Sequence, residues 1–347
     1  MSLPIKRVLR FNTWINPVFD VTVRGRSDIE LDIRSFSEPR AQGLESLARA
    51  NVLVLSPAKD EVPKEWFVTA DLLKHTPQLL CISATGAGYD TIDVPACTAA
   101  GIAVVNQAGG NAESVAEHTI GLILSVAHRL SESDRALRAS SRHFSREDLM
   151  GHEISAKVIG LVGLGHVGTR VAELARAFRM KVLATDPNLS ATEIEKRGAT
   201  PATLEQILAQ SDVVSLHCPR LPSTLKMIAQ AEFARMKPGA IFISTARGGI
   251  HDEQALADAL KSGHLAGAGL DVWDVEPTPH DHALLTYPGV VATYHTAGVT
   301  HEARRNIAHM SAQQILGFLE GVRPPRLLNP KVWETCLTRM QHLFPVQ

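Results

Sequence analysis

The sequence predicts an α/β protein made of two doubly wound parallel sheets. Three observations predict it. Short β-rich runs alternate with longer helical patterns along most of the chain, as expected when parallel strands are joined by crossover helices. A glycine fingerprint, Gly163-Leu164-Gly165-His166-Val167-Gly168, lies between a strand-like run and an amphipathic helical run. The length of 347 residues is also more than one ordinary core uses, and suits about two domains.

The N-terminal third reads as strands near residues 8–11, 31–36, 52–55, 79–84 and 103–107, with helices between them. Ser114-Val115-Ala116-Glu117 then has the capping-box pattern. It precedes a helix whose apolar residues (Ile120, Leu122, Ile123, Leu124, Val126, Ala127) fall on most faces, so this helix is expected to be deeply buried. The polar stretch 131–148 reads as a surface linker or as an arm that reaches another subunit. Its arginines, Arg135, Arg138, Arg142 and Arg146, fit a solvated helix face or a subunit contact better than a nucleic-acid patch. A second α/β unit begins at Lys157, with strands expected at 158–162, 181–186, 213–217, 240–245, 267–271 and 290–293. Val167, Val171, Leu174, Ala175 and Phe178 recur at helical spacing after the first of these. An amphipathic helix through Ile307, Met310, Ile315, Phe318 and Leu319 precedes a proline-rich segment, 321–330. No internal repeat is visible.

Composition narrows the function classes. The chain is 45% hydrophobic and 20% charged with a net charge of −1, so no global field favours nucleic acid or an anionic membrane. Cys81, Cys97, Cys218 and Cys336 are scattered without CxxC spacing. They read as reduced thiols, not metal ligands, and no metal is expected. The N-terminus shows no signal-peptide pattern. The longest apolar run, near 120–127, is far below the ~20 residues that span a bilayer. A soluble, cytoplasmic protein is the expectation.

The glycine fingerprint has the context that gives it meaning. An apolar strand precedes it, an amphipathic helix follows, and the next strand ends at Asp186, eighteen positions after Gly168. Gly163 permits the tight turn, Gly165 lets backbone approach a pyrophosphate, and Gly168 lets helix and strand pack closely. The helix N-terminus, with the N–H groups around His166 and Val167, presents its positive dipole end to the phosphates. The His166 side chain itself is expected to face solvent. Asp186 is placed to accept the ribose hydroxyls and to repel a 2′-phosphate, and Asp186-Pro187-Asn188 offers no adjacent arginine. The expected cofactor is therefore NAD, with NADP less favoured.

Ligands of doubly wound sheets bind beyond the carboxyl ends of the strands. Arg247, Asp271 and His295 fall at or just after such ends, and Glu276 follows Asp271 on one loop. Each has a bland reading: a surface charge, a structural histidine, a turn residue before Pro277. Their coincidence with a dinucleotide fingerprint favours chemistry. Hydride transfer between a dinucleotide and an alcohol carbon needs a group that exchanges the hydroxyl proton near neutrality, which suits His295. A carboxylate beside it, Glu276, would favour the imidazolium and fix the ring. Arg247 would bind a substrate carboxylate with its planar fork.

These segments resemble the D-2-hydroxyacid dehydrogenase family, which includes D-lactate, D-3-phosphoglycerate and glyoxylate/hydroxypyruvate enzymes. The likeness covers about residues 79–320. It is carried by 85–93 (from Thr85-Gly86-Ala87-Gly88-Tyr89-Asp90 to Asp93), by 106–117, by the fingerprint, by 217–224 (from His217-Cys218-Pro219 to Thr224), by 236–249, by 269–277 and by His295-Thr296-Ala297-Gly298-Val299-Thr300. The resemblance implies Arg247, Glu276 and His295 as the catalytic set, acting on a small D-2-hydroxy or 2-keto acid. It implies that N–H groups around Gly86 and Ala87 also hold the substrate carboxylate. It places Asp271 beside the nicotinamide, and Cys218, Thr245, Ala246 and Gly298 near the cofactor. It further implies a Rossmann NAD-binding domain, 106–300, inserted into a flavodoxin-like substrate domain, 1–105 with 301–347, and a homodimer built on the NAD-binding domain.

Departures bear on the substrate. Ser244 stands where relatives often have Asn, Tyr294 where many have Pro, and Ala84 where phosphoglycerate enzymes tend to have Arg; no regulatory tail is apparent either. Phosphoglycerate is therefore the less expected substrate. Trp14 reads first as core, and with Tyr89 as a second candidate for the pocket wall. The alternatives within this fold are an NAD(H)-sensing, corepressor-like binding protein and a phosphite dehydrogenase.

Overall fold

Twelve strands form two parallel sheets in the computed structural model of the chain, which describes residues 4–139 and 145–345. The chain divides into two units, Met1–Asn111 with Thr300–Gln347, and Ala112–Val299. The first boundary lies beyond residue 106 because that segment is bonded to the first unit. Gln107 N–H donates to Gly86 O at 2.8 Å, and Gln314 Nε2 donates to Asn106 O and Gln107 Oε1 at 3.0 and 2.9 Å.

The first unit holds β1 (Lys6–Phe11), β2 (Ile29–Arg34), β3 (Val52–Leu55), β4 (Cys81–Ala84) and β5 (Ala103–Val105), in the order β2-β1-β3-β4-β5. This is the flavodoxin-like doubly wound order. Alternate residues serve opposite faces. Val8, Val52 and Val54 pack under Phe318 and Trp333 from the C-terminal helices His301–Leu319 and Trp333–Leu343. Leu9, Leu53 and Leu55 pack with Trp66 and Ile82 on the other side. The strand expected at 31–36 ends at Arg34. Phe36 lies beyond it, its ring stacked 4.2 Å from that of Phe11. The helix Trp333–Leu343 is not among the expected elements, although Trp333, Cys336 and Met340 are its buried face.

The second unit holds β6 (Val158–Val162), β7 (Lys181–Thr185), β8 (Thr200–Pro201), β9 (Val213–Leu216), β10 (Ala240–Ser244), β11 (Leu265–Leu270) and β12 (Val290–Ala292). The order β12-β11-β10-β9-β6-β7-β8 is the Rossmann arrangement with one strand added. The order reverses between β6 and β9, and there the crevice for a dinucleotide opens. β8 is a two-residue edge strand containing Pro201, too short and too proline-broken to announce itself.

The apolar helix spans Ala112–Ala127 and buries nine of its residues, Val115, Ile120 and Ile123 among them. It starts ahead of Ser114, so Ser114 does not cap it; its hydroxyl donates to Ala297 O instead. Gly267 and Gly269 of β11 let this helix lie close. A Cβ at Gly269 would stand 2.8 Å from Leu122 Cβ, and one at Gly267 2.7 Å from Val126 Cγ1. In the polar stretch, Leu130–Arg138 is a helix without a buried residue, where the sequence suggests a linker or arm; Arg142 lies outside the described residues. Among the described residues no helix is long and apolar enough to cross a membrane, and no group of His, Cys, Asp or Glu is placed to hold a metal.

Candidate active site

Gly163 follows β6 with φ +96°, a left-handed conformation that glycine adopts without strain. A Cβ here would lie 2.8 Å from Cys218 N, after β9, so this turn sits at the point where strand order reverses. A Cβ at Gly168 would lie 2.2 Å from Gly163 O, which forces glycine at the helix–strand contact. A Cβ at Gly165 would meet nothing within 4 Å. Gly165 caps the helix His166–Ala177 with no side-chain bond to its first turn, and His166 is exposed. An open space before uncapped N–H groups fits a pyrophosphate.

Asp186 Oδ2 accepts Leu164 N–H at 2.9 Å and its Oδ1 accepts Asn188 N–H at 3.0 Å. The carboxylate thus braces the glycine turn. No arginine adjoins Asp186 in sequence, but one reaches the glycine turn from further along the chain. Arg197, the C-cap of Ala191–Lys196, reaches back to Leu164 O at 2.6 Å.

The chemical residues follow the three neighbouring strands β10, β11 and β12. His295 Nδ1 lies 2.9 Å from Glu276 Oε2, and Glu276 Oε1 accepts Trp273 N–H at 3.1 Å. Burial alone would raise the Glu276 carboxyl. The hydrogen bond and charge of His295, the Trp273 N–H and the charge of Arg247 outweigh it and hold the carboxyl below its ordinary range. His295 takes φ +52°, an uncommon conformation for a residue with a Cβ. The Glu276–Pro277 peptide is cis. Arg247 turns Nη1 to Ala246 O at 2.7 Å.

Asp271, expected beside the nicotinamide, is fully buried. It accepts Thr293 Oγ1–H at 2.6 Å, Thr296 N–H at 2.8 Å and Ala297 N–H at 3.0 Å, so it anchors the loop on which His295 and Gly298 stand. His118, from the apolar helix, places Nε2 3.0 Å from Thr293 Oγ1. The buried Thr245 hydroxyl is 3.0 Å from that of Thr119, Ala246 is nearly as buried, and burial pushes the Cys218 thiol up to about 11. His118, Thr293 and Arg197 have no motif signal of their own; only the fold brings them here.

In the first unit, Gly86 and Ala87 follow β4. Their carbonyls are taken by Gln107 N–H at 2.8 Å and Asn106 Nδ2 at 2.7 Å. Trp14 is not core: it is 63% exposed, and the Arg304 guanidinium lies 5.7 Å from its ring centroid. Trp66 takes the core position beside Phe11. Tyr89 is half-buried against the second hydrophobic face of the sheet.

This architecture has counterparts in known proteins. The sequence profile described as "D-isomer specific 2-hydroxyacid dehydrogenase, NAD binding domain" matches residues 120–297. The chain belongs to the D-2-hydroxyacid dehydrogenase family. The second unit is thus the family's NAD-binding domain. A glyoxylate reductase of Thermococcus litoralis is 35% identical over 310 residues, 88% of this chain and 91% of that protein. A D-3-phosphoglycerate dehydrogenase of Archaeoglobus fulgidus is 40% identical over 255 residues, 74% of this chain and 48% of that protein. The chain spans about half the length of the first phosphoglycerate dehydrogenases it matches. The crystal structure of a glyoxylate reductase from Paecilomyes thermophila superposes with a TM-score of 0.83 at 28% identity, covering 95% of this chain and all of that one.

Proposed function

We propose that this D-2-hydroxyacid dehydrogenase family member reduces a small 2-keto acid to the D-2-hydroxy acid, and catalyses the reverse, with NAD in preference to NADP. The observation that carries the reading is the His295–Glu276 pair at 2.9 Å, beyond the same sheet edge as the glycine turn. When bound, NADH supplies the hydride that reaches C2. With Nδ1 directed at Glu276, His295 keeps Nε2 for the substrate oxygen and delivers a proton there as C2 is reduced. Glu276, ionised at neutral pH, fixes the ring and stabilises the imidazolium. Arg247 binds the substrate carboxylate and draws electron density from the C2 oxygen. Gly86 and Ala87, on the turn after β4, are suited to offer N–H groups to an anion, glycine freeing the backbone to converge on it.

The test is NADH oxidation with glyoxylate, hydroxypyruvate, pyruvate, phenylpyruvate and 3-phosphohydroxypyruvate. Turnover with at least one supports the reading, and none with any of the five removes it. A glyoxylate-sized acid is favoured by the Thermococcus relative, with which this chain aligns over 91% of that protein.

The working form proposed is a homodimer through the NAD-binding domain. At the amino ends of its strands a cavity of about 640 Å³ is lined by Met150, Ile154, Val213, Ile241 and Pro288. Leu130 and Leu137 of the helix Leu130–Arg138, and Met150 of the cavity wall, are 55%, 82% and 66% exposed, an apolar display that a second copy would cover. Sedimentation of the wild type should give a dimer and Leu137→Asp should shift it toward monomer; a monomeric wild type would overturn this assignment.

A further inference from the structure

The loops that carry Arg247, Glu276 and His295 are tied together by side chains for which the reaction itself has no use. Asp274 Oδ1 accepts Gly249 N–H at 2.6 Å, which fastens the turn after Arg247 to the loop leading to Glu276. Gly248 leaves no slack at this contact, since a Cβ there would stand 1.8 Å from Trp273 O. Asp274 N–H donates to Glu253 Oε1 at 2.8 Å, and Glu253 Oε2 lies 3.0 Å from His282 Nε2. His282 Nδ1 accepts Leu284 N–H at 3.3 Å, so in the neutral ring Nε2 carries the proton and donates to Glu253. The His282 ring stands edge-on to Trp273 at 5.3 Å, and the Trp273 indole N–H donates to Thr293 O at 3.0 Å, two residues before His295. The Glu253 and His282 side chains are only 14% and 20% exposed.

We infer that Glu253 is a positioning residue for the acid–base pair, through its hydrogen bonds to Asp274 and His282. The inference rests on the reductase reading for its kinetic consequence. Glu253 opens the helix Glu253–Lys261, a rigid element, and from there reaches two points of the loop between β11 and β12. One is Asp274, which holds the arginine turn. The other is His282, which packs on the indole that holds the end of β12. Moving this carboxylate frees three loops together. A misplacement of an ångström at reacting groups costs about 10²-fold.

Glu253→Gln is the probe. Its carbonyl keeps the bond from Asp274, but its amide presents N–H to the His282 N–H. His282 then changes tautomer and loses Leu284, or turns away. Expected is a fall of about 10- to 100-fold in kcat for keto-acid reduction, with NADH affinity and melting temperature close to wild type. The His295 ring Nδ1–H signal, followed by NMR without substrate, should shift or broaden as its bond to Glu276 loosens. Wild-type turnover together with an unchanged Nδ1–H signal overturns the inference. So does loss of NADH binding in step with turnover, which marks a merely structural residue. If the wild type itself reduces no keto acid, the reductase reading fails, and the NMR signal alone then decides the positioning role.

Discussion

In the proposed reaction, His295 concentrates the chemistry in one ring. Its Nδ1 is committed to Glu276 at 2.9 Å, so the reactive proton sits on the opposite nitrogen, and His295→Ala leaves water as the only proton source. The expected loss in kcat is on the order of 10²- to 10⁴-fold with the fold intact; near-wild-type turnover, with circular dichroism unchanged, would remove His295 from the mechanism. In the proposed cofactor mode Asp186 has two tasks, facing the ribose and holding Leu164 N–H at 2.9 Å. Asp186→Ala should therefore raise NADP use relative to NADH while also raising the KM for NADH. Adding Arg197→Ala should reverse the gain with NADP, because Arg197 bonds the same Leu164; a KM ratio that stays fixed in both variants would show that neither residue governs the 2′ position. Arg247, Glu276, His295 and Asp186 were legible in the sequence because each follows a strand whose end the pattern marks. Arg197, His118 and Thr293 were not, because they depend on which loops the fold brings together. Trp14 misled for a related reason: aromatic character alone does not distinguish a loop ring stacked under Arg304 from a core ring such as Trp66.

At the scale of elements, short apolar runs and period-3.6 patterns located the sheets because both are buried on two faces, which makes strands such as Val52–Leu55 and Val213–Leu216 wholly apolar or nearly so. The patterns failed where tertiary pairing overrides local signal. Ser114 and Glu117 imitate a capping box, yet the helix begins at Ala112 and the Ser114 hydroxyl goes to Ala297. The closing helix Trp333–Leu343 escaped because its few apolar residues follow a proline-rich stretch. One element contact gives a sharp prediction. Gly269 lies under the helix Ala112–Ala127, and a Cβ there would be 2.8 Å from both Ile243 Cδ1 and Leu122 Cβ. Gly269→Val should favour an isolated strand by propensity, but overpacking should win and cost about 1–3 kcal/mol or more. Urea unfolding should show a lower midpoint; an unchanged or higher one would mean that the helix stands further off than these distances state.

At the scale of the whole molecule, stability should fall steeply on mild acidification, because two imidazoles are held neutral inside the NAD-binding domain. His251 is fully buried against the Phe242 ring at 5.1 Å, and neither ring nitrogen has a partner. Burial pushes it down to about 4. His217, with Nε2 2.9 Å from the Ser215 hydroxyl, is likewise pushed down to about 4 by burial. The unfolded chain takes up these protons near pH ~6.5, so between there and about 4 the unfolded state binds protons that the folded state refuses. Folding stability must therefore decrease as pH falls through that window. For His251 the full effect approaches about 3 kcal/mol. Below it, carboxylates held down by partners, such as Asp28 beside Arg26 and Lys6, lose their contribution in the same direction. His251→Leu removes one titrating group and two unpaired nitrogens while keeping the volume near constant. The variant should be modestly more stable than wild type at pH 8 and more so at pH 5, the gap between the two margins measuring the proton that wild-type His251 declines. Denaturant unfolding at the two pH values reads it directly; equal margins would mean that His251 is already hydrated or bonded in the folded protein and that the acid limb belongs to the carboxylates alone.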